Sequence, residues 1–504
     1  MAAVPRRRWL FRLLAILIAF VPFLLLEGVL GLFGLGDPQT QADPLVGFST
    51  VVPLFQLDEE AGKYHIASYR TNFFAYDEFP AVKATNTKRV FCLGGSTVQG
   101  RPYSIQTSFP TWMELALKEA NPEVDWEVVN CGGISYASYR LVPILEEVLE
   151  YEPDYIILCT GHNEFLEDRS YAATKQIPEQ SRPALSSLVR LRTVVVATQF
   201  CRWCTGGETE TEQPEVTTMP IEVNALLDYH EGLAAYHRDD AWRDAVIRNF
   251  DANLQKMIGM CRAANVPILL LQPTSNLRGQ PPFKSEHTPG LSDSGIQGWQ
   301  ESKDQANEFA KTDLSAAANV YQQAVGLNPQ HAMTSYECGR ILEIAGRYDE
   351  ARPDFIRARD EDICPLRMIS ELESTMQRIS QDMDVPFIDL HEFLEKQTPS
   401  HILGDEWLVD HVHPSFDGNQ QIGLRLAEEF ISRRWASESN INWREHSLAR
   451  FKEHFATLDK TYFHRGQRML QALRGWTRGE ADGPHVSTKF PHLLDDSNEP
   501  PPTD

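Results

Sequence analysis

The sequence predicts an α/β protein whose parallel sheet is covered by helices on both faces. Two observations carry that expectation. Five short apolar runs, at 89–93, 126–130, 154–160, 266–273 and 385–390, have strand length, and the first three close on clusters of small and polar residues. Amphipathic stretches of helical length alternate with them, and that alternation produces parallel sheets with helical cover. In such sheets, sites form in the loops beyond the carboxyl ends of the strands.

The chain begins with Arg6-Arg7-Arg8, followed by an apolar run unbroken from Leu13 to Leu26 and extended to Leu35. That segment is long enough to cross a bilayer with some tilt. The arginines stay on the cytoplasmic side, so everything after Gly36 is expected outside. A cleaved signal peptide and a buried core helix are the competing readings, although no convincing small-x-small cleavage site is present. A polar, loop-like stretch follows from about 37 to 86. Helices are expected at 109–119, 139–149, 241–264 and 366–383, with another starting near Asp417. Residues 441–475 read as one long helix, and the acidic, Pro-rich tail from Gly479 to Asp504 reads as disordered.

Residues 285–363 break the strand–helix rhythm. Ala317, Tyr321 and Ala324 recur 34 residues later as Ala351, Phe355 and Ala358, with Pro329, Gly339, Gly346 and Tyr348 between them. This small-large-small pattern resembles a tetratricopeptide repeat, in which alanines let paired helices pack closely. One full repeat and a preceding half cannot bury their own face. They pack on the rest of the chain or serve a protein partner. The expected organisation is therefore an Arg cluster and transmembrane anchor (1–36), a lead-in segment (37–85), and an α/β domain in two parts (86–284 and 364–436). The helical insertion (285–363) divides those parts, and a helical extension with an acidic tail (437–504) ends the chain.

A formal net charge of −23 over 504 residues excludes nucleic acid as a partner, because neutralising phosphates needs a basic surface. Eight cysteines are scattered singly, apart from Cys201-Arg202-Trp203-Cys204. That pair could be redox-active, half a zinc site or a local disulfide, but no second pair follows at zinc-finger spacing. Cys92, Cys131 and Cys159 read as small core residues.

The chemistry gathers at the strand ends. The first strand closes on Gly94-Gly95-Ser96-Thr97, and small residues around a serine at a strand-to-helix turn let its hydroxyl project above the sheet. The second closes on residues 130–138, NCGGISYAS, whose backbone N–H groups could face an oxyanion. The third closes on Gly161-His162-Asn163-Glu164, where the Asn amide could do the same. After the last strand comes Asp410-His411-Val412-His413. An i to i+3 spacing in a tight loop can bring the carboxylate to the far nitrogen of its own histidine, leaving the near nitrogen for a serine proton.

Four blocks in this order resemble the SGNH (GDSL-like) hydrolase family. The resemblance implies a flavodoxin-like α/β/α sandwich, with Ser96 as nucleophile, His413 as general base and then acid, and Asp410 orienting it. It implies an oxyanion hole made by the Ser96 N–H, the Ser135 N–H and the Asn163 side chain, and it implies no cofactor and no metal. Two departures stand out. Ser135 occupies the place of the family's usual oxyanion glycine, with Gly133 as a rival, and Glu164 replaces the usual Asp, read as structural. His162, Glu164, Asp410, His411 and His413 carry donors that suit zinc or manganese, but that reading leaves the serine turn without a purpose. The implied activity is hydrolysis of O-acyl or O-acetyl esters of a glycan or lipid through an acyl-Ser96 intermediate. An O-acyltransferase acting on extracytoplasmic glycans would use the same residues. A membrane-tethered scaffold with an inactive hydrolase domain is the reading from a different class.

Overall fold

The computed structural model describes residues 53–166 and 232–477, with short helical pieces at 26–30, 192–193 and 196. The predicted anchor lies outside the described residues except for 26–30, and Cys201, Cys204 and the tail after 477 lie outside them altogether. Among the described residues, no helix is long and apolar enough to cross a membrane.

The chain divides into two compact units. The first comprises Met1–Val82, Arg140–Glu152 and Glu167–Asn224. It holds a small antiparallel sheet, β1 (Phe55–Asp58), β2 (Lys63–Ile66) and β3 (Glu78–Pro80), in the order β1-β2-β3. The stretch 37–86 was expected to be loop-like, and these strands correct that. They are only three or four residues long and mix charged with aromatic residues, so they carry no apolar run. Their stability comes from cross-strand aromatics and a remote anchor. Phe55, Tyr64 and Phe79 pack around Tyr151, and the Glu147 carboxylate accepts from the Leu54 and Phe55 N–H groups at 2.6 and 2.8 Å.

The second unit, Lys83–Tyr139, Pro153–Leu166 and Ala225–Asp504, carries the main sheet. Its strands are β4 (Thr87–Gly94), β5 (Asp125–Gly132), β6 (Tyr155–Cys159), β7 (Ile268–Gln272) and β8 (Phe387–Asp389). All four pairings are parallel, in the order β5-β4-β6-β7-β8. Renumbered within the sheet this is 2-1-3-4-5, the flavodoxin-type doubly wound order, and it reverses beside β4.

The helices of this unit alternate with the strands. They are α1 (Ser96–Gln99), α2 (Phe109–Ala120), α3 (Ser138–Val148, which runs on into the first unit) and α4 (Asp240–Ala263). Next come α5 (Asp293–Phe309), α6 (Leu314–Leu327), α7 (Ala332–Ile344) and α8 (Tyr348–Asp360). The last are α9 (Ser370–Asp382), α10 (Leu390–Glu395), α11 (Phe416–Ser432), α12 (Trp443–Thr457) and α13 (Lys460–Thr477).

Period-2 alternation explains the sheet's two faces. Val90, Cys92, Val128, Ile157, Leu269 and Leu271 share one buried cluster with Trp112 and Met113 of α2 and with Ile422 and Phe430 of α11. The alternate residues Phe91, Leu93, Leu158 and Leu270 are buried as well, so both faces are covered. Cys92, Cys131 and Cys159 are buried free thiols, as core residues should be.

Helices α5 to α8 share a second core with Leu277 and Ile402 from outside the insertion. Ala317, Tyr321, Ala351, Phe355 and Ala358 are all buried in it. A Cβ on Gly339 would lie 3.1 Å from the Phe355 ring, so the small residue sets how closely α7 and α8 approach. The single helix expected over 441–475 is in fact two. Leu458 is extended (φ −77°, ψ 134°), and the Asp459 carboxylate caps α13 by accepting from the Tyr462 N–H at 2.7 Å. Trp443 and Phe451 of α12 join the sheet's core, with Phe451 4.8 Å from Trp112.

Candidate active site

The turn that carries Ser96 depends on two close backbone approaches and one close side-chain contact. A Cβ on Gly94 would lie 2.2 Å from the Cys159 carbonyl oxygen, so only glycine lets the end of β4 run against β6. A Cβ on Gly132 would lie 2.2 Å from the Gln99 N, which lets α1 sit on the end of β5. At Gly95 the obstacle would be the Asn163 Nδ2, 2.7 Å away. The chain leaves β4 through extended Gly95, and Ser96 opens α1, where the first N–H groups have no partner within the helix.

The second half of the site is the loop between α10 and α11. Leu408 bridges Pro414, and the Val409 N–H donates to the His413 carbonyl at 2.9 Å, closing the loop. Inside it, one oxygen of Asp410 accepts from the Val412 and His413 N–H groups at 2.9 and 2.8 Å, an Asx turn that folds the chain back on its own aspartate. The other oxygen lies 2.7 Å from His413 Nδ1, and His413 Nε2 lies 2.8 Å from Ser96 Oγ. Two short contacts thus join residues 410, 413 and 96 in one continuous chain. Burial works to raise the Asp410 pKa, but His413 and His411 and the hydrogen bonds from His413 outweigh it. They hold the carboxyl well below the usual carboxylate range.

His411 does not reach the serine. Its Nδ1 stands 3.6 Å from Asp410, and its ring meets Phe283 edge-on at 5.5 Å. Burial pushes its pKa down to about 4. Glu164 binds the neighbouring loop, accepting from the Ser138 N–H at 2.7 Å and the Ser138 hydroxyl at 2.8 Å. Burial raises its pKa to about 7 against those hydrogen bonds. Asn163 donates one amide N–H to the Tyr136 carbonyl at 3.1 Å, which leaves its second N–H and sets the amide beside Gly95. The Gly133 N–H donates to the Gly94 carbonyl at 2.9 Å, and the Gly133 carbonyl accepts from the Tyr136 N–H. Ser135 is the third residue of that turn and has φ +62°, a conformation that favours glycine.

Several groups that build the site escaped the sequence reading. Asn276, in the loop after β7, donates to the Asp410 carbonyl at 3.0 Å, and its N–H donates to the His411 carbonyl at 2.9 Å. The Thr274 hydroxyl donates to the Val412 carbonyl at 3.2 Å, and Arg367 holds the Asn276 carbonyl at 2.8 Å. Asn130 at the end of β5 ties α1 down through the Val98 carbonyl at 2.7 Å. The Met368 N–H donates to His162 Nδ1 at 3.1 Å, so that imidazole carries its proton on Nε2. The polar cluster Thr274-Ser275-Asn276 at a strand's carboxyl end was the available signal for the first two. As for metal ligation, the donor atoms of Glu164 and Asp410 and the Nδ1 of His162 and His413 are already engaged in these bonds.

No protein-family model and no curated protein matches the chain. Among solved structures it is similar to a lipolytic protein of the G-D-S-L family from Desulfitobacterium hafniense, at 10% identity and TM-score 0.30, over 68% of this chain and 98% of that one. It is also similar to a lipase/acylhydrolase from Enterococcus faecalis, at 13% identity and TM-score 0.31, over 70% and 99% of the two chains. A variant acetyl xylan esterase from Geobacillus stearothermophilus aligns at 12% identity and TM-score 0.29, over 70% and 95%. Likeness at this level decides no activity. The fold and the residues themselves define a doubly wound α/β protein with a serine, a histidine and an aspartate hydrogen-bonded in series at the carboxyl edge of its sheet.

Proposed function

We propose that this chain is a membrane-anchored serine esterase of the SGNH type. The observation that carries the reading is the unbroken chain from Asp410 through His413 to Ser96, with contacts of 2.7 and 2.8 Å. In this mechanism His413 Nε2 takes the Ser96 proton as Oγ attacks the ester carbonyl. The oxyanion is met by the Ser96 N–H, the Ser135 N–H and the free N–H of Asn163. Ser135 is preferred to Gly133 because the Gly133 N–H is already given to Gly94. His413 then passes its proton to the departing alkoxide, leaving acyl-Ser96. A water deprotonated by His413 attacks the acyl carbon and releases the acid. The depressed pKa of Asp410 keeps it charged, so it fixes the histidine tautomer and stabilises the imidazolium.

In the same reading, residues 86–284 and 364–436 form the hydrolase domain with the SGNH fold. Residues 285–363 are a tetratricopeptide-like insertion open to a protein partner, and residues 13–35 hold the domain outside the cytoplasm. The substrate is an O-acyl or O-acetyl ester of a glycan or lipid, with water as acceptor. The direct test is Ser96→Ala in the purified protein. Turnover of an activated ester should fall by several orders of magnitude with an unchanged circular dichroism spectrum. Near-wild-type turnover by the folded variant would end the proposal.

A further inference from the structure

Among the described residues, many buried and half-buried arginines have carboxylate partners. Arg89 pairs with Glu127, Arg238 with Glu361, Arg278 with Glu343 and Glu406, Arg352 with Glu395, and Arg359 with Glu373. That is expected of a chain with 70 acidic and 47 basic residues, because a desolvated guanidinium without a counter-charge is costly.

Arg101 departs from the pattern. It stands five positions after Ser96, and its N–H donates to the Ser96 carbonyl at 3.1 Å. Its side chain is half-buried, and its Nε donates to Gln99 Oε1 at 3.3 Å. Gln99 is itself buried and reaches the Gly132 carbonyl, beside the loop that carries Ser135. The guanidinium is therefore held by a neutral amide, on a residue whose backbone is hydrogen-bonded to that of Ser96. Among the described residues no carboxylate pairs with it, and burial lowers its pKa with no acidic neighbour to oppose the change.

We propose that Arg101 is the anion-binding element of the substrate site, and that the natural substrate is an O-acyl ester whose leaving group carries a carboxylate or other planar anion. The inference rests on the serine-esterase reading and adds the substrate's charge to it. A guanidinium offers paired donors that match a carboxylate bidentately, and its bond to Gln99 fixes their direction before the ligand arrives. The anion then supplies the counter-charge that no carboxylate among the described residues supplies.

The test uses the full-length protein and two aryl acetates that differ mainly in charge, 4-acetoxybenzoate and 4-acetoxybenzamide. The unaltered protein should prefer the carboxylate by about tenfold or more in kcat/KM, as one charge-assisted pair allows. In Arg101→Gln that ratio should fall to about one, and Arg101→Lys should recover part of it. A ratio unaffected by Arg101→Gln would overturn the proposal, as would no preference in the unaltered protein. Benzoate binding to the Ser96→Ala protein, followed by saturation-transfer NMR with benzamide as control, keeps the inference testable without turnover. Binding that disappears with Arg101→Gln supports the anion site even if the esterase reading fails. Equal binding of benzoate and benzamide sinks the anion site even if esterase activity is found.

Discussion

The two halves of the site are made rigid in opposite ways. Ser96 is positioned by its own neighbourhood, where Gly94 and Gly132 let backbone meet backbone and Gly95 makes room for the Asn163 amide. Asp410 and His413 sit in a loop whose outer carbonyls are held from far away in sequence, by Asn276, Thr274 and, one step removed, Arg367. The first half can be read in a short motif because its geometry is local. The second half shows only its Asp-x-x-His spacing, while the clamp that orients it is spread over residues with no fixed sequence distance.

The comparison makes graded predictions. Breaking the Ser96 half should cost most. Gly94→Ala places a methyl group 2.2 Å from a backbone oxygen that cannot move aside, so the sheet itself must shift. A stability loss on the order of 4 kcal/mol is expected, seen as poor soluble yield or a steep fall in thermal midpoint. A Gly94→Ala protein with a normal melt would show that the local packing is looser than described. Breaking the clamp should spare the fold and damage the chemistry. Asn276→Ala frees the Asp410 carbonyl from the side-chain amide while the backbone N–H keeps its bond to the His411 carbonyl, and kcat for an activated ester should drop about a hundredfold, the scale of a small misplacement. Unaltered kcat would mean that the loop holds itself.

Within the loop, His411→Ala should cost only about tenfold, because its ring packs on Phe283 and does not touch Ser96. His413→Ala should match Ser96→Ala, and a dead His411→Ala with an active His413→Ala would reverse the assignment. The smallest effect concerns Glu164, which joins the Asn163 loop to Ser138. Its folded pKa, near 7, lies above the unfolded value of 4.5. Its contribution to stability is therefore complete below about pH 4.5 and is lost as pH rises through 7. Between pH 5 and 8 the unaltered protein should lose thermal midpoint relative to Glu164→Gln. Parallel curves for the two proteins would contradict the shift.

The sequence legibility of the fold follows the same division. Four of the five sheet strands were readable because β4 to β7 are largely buried on both faces and so contain apolar runs. Strands β1 to β3 were not, because their hydrophobic partners are single aromatics such as Tyr151 rather than a neighbouring run. The break at Leu458 was missed because helical periodicity continues across it, and only the Asp459 cap marks a new start. At the site, Ser96, Asp410, His413 and Asn163 announced themselves by motif. Arg101 did not, because its distinction is the lack of a carboxylate partner among the described residues, and that is a property of three-dimensional neighbours.

The central claim is that Asp410, His413 and Ser96 act as one catalytic unit, and covalent capture tests it most directly. The purified protein would be incubated with a fluorophosphonate and examined by intact-mass and peptide mass spectrometry. The account predicts one adduct, located on Ser96, absent from Ser96→Ala and formed far more slowly by His413→Ala. An unlabelled protein, an adduct on another serine, or undiminished labelling of His413→Ala would contradict it.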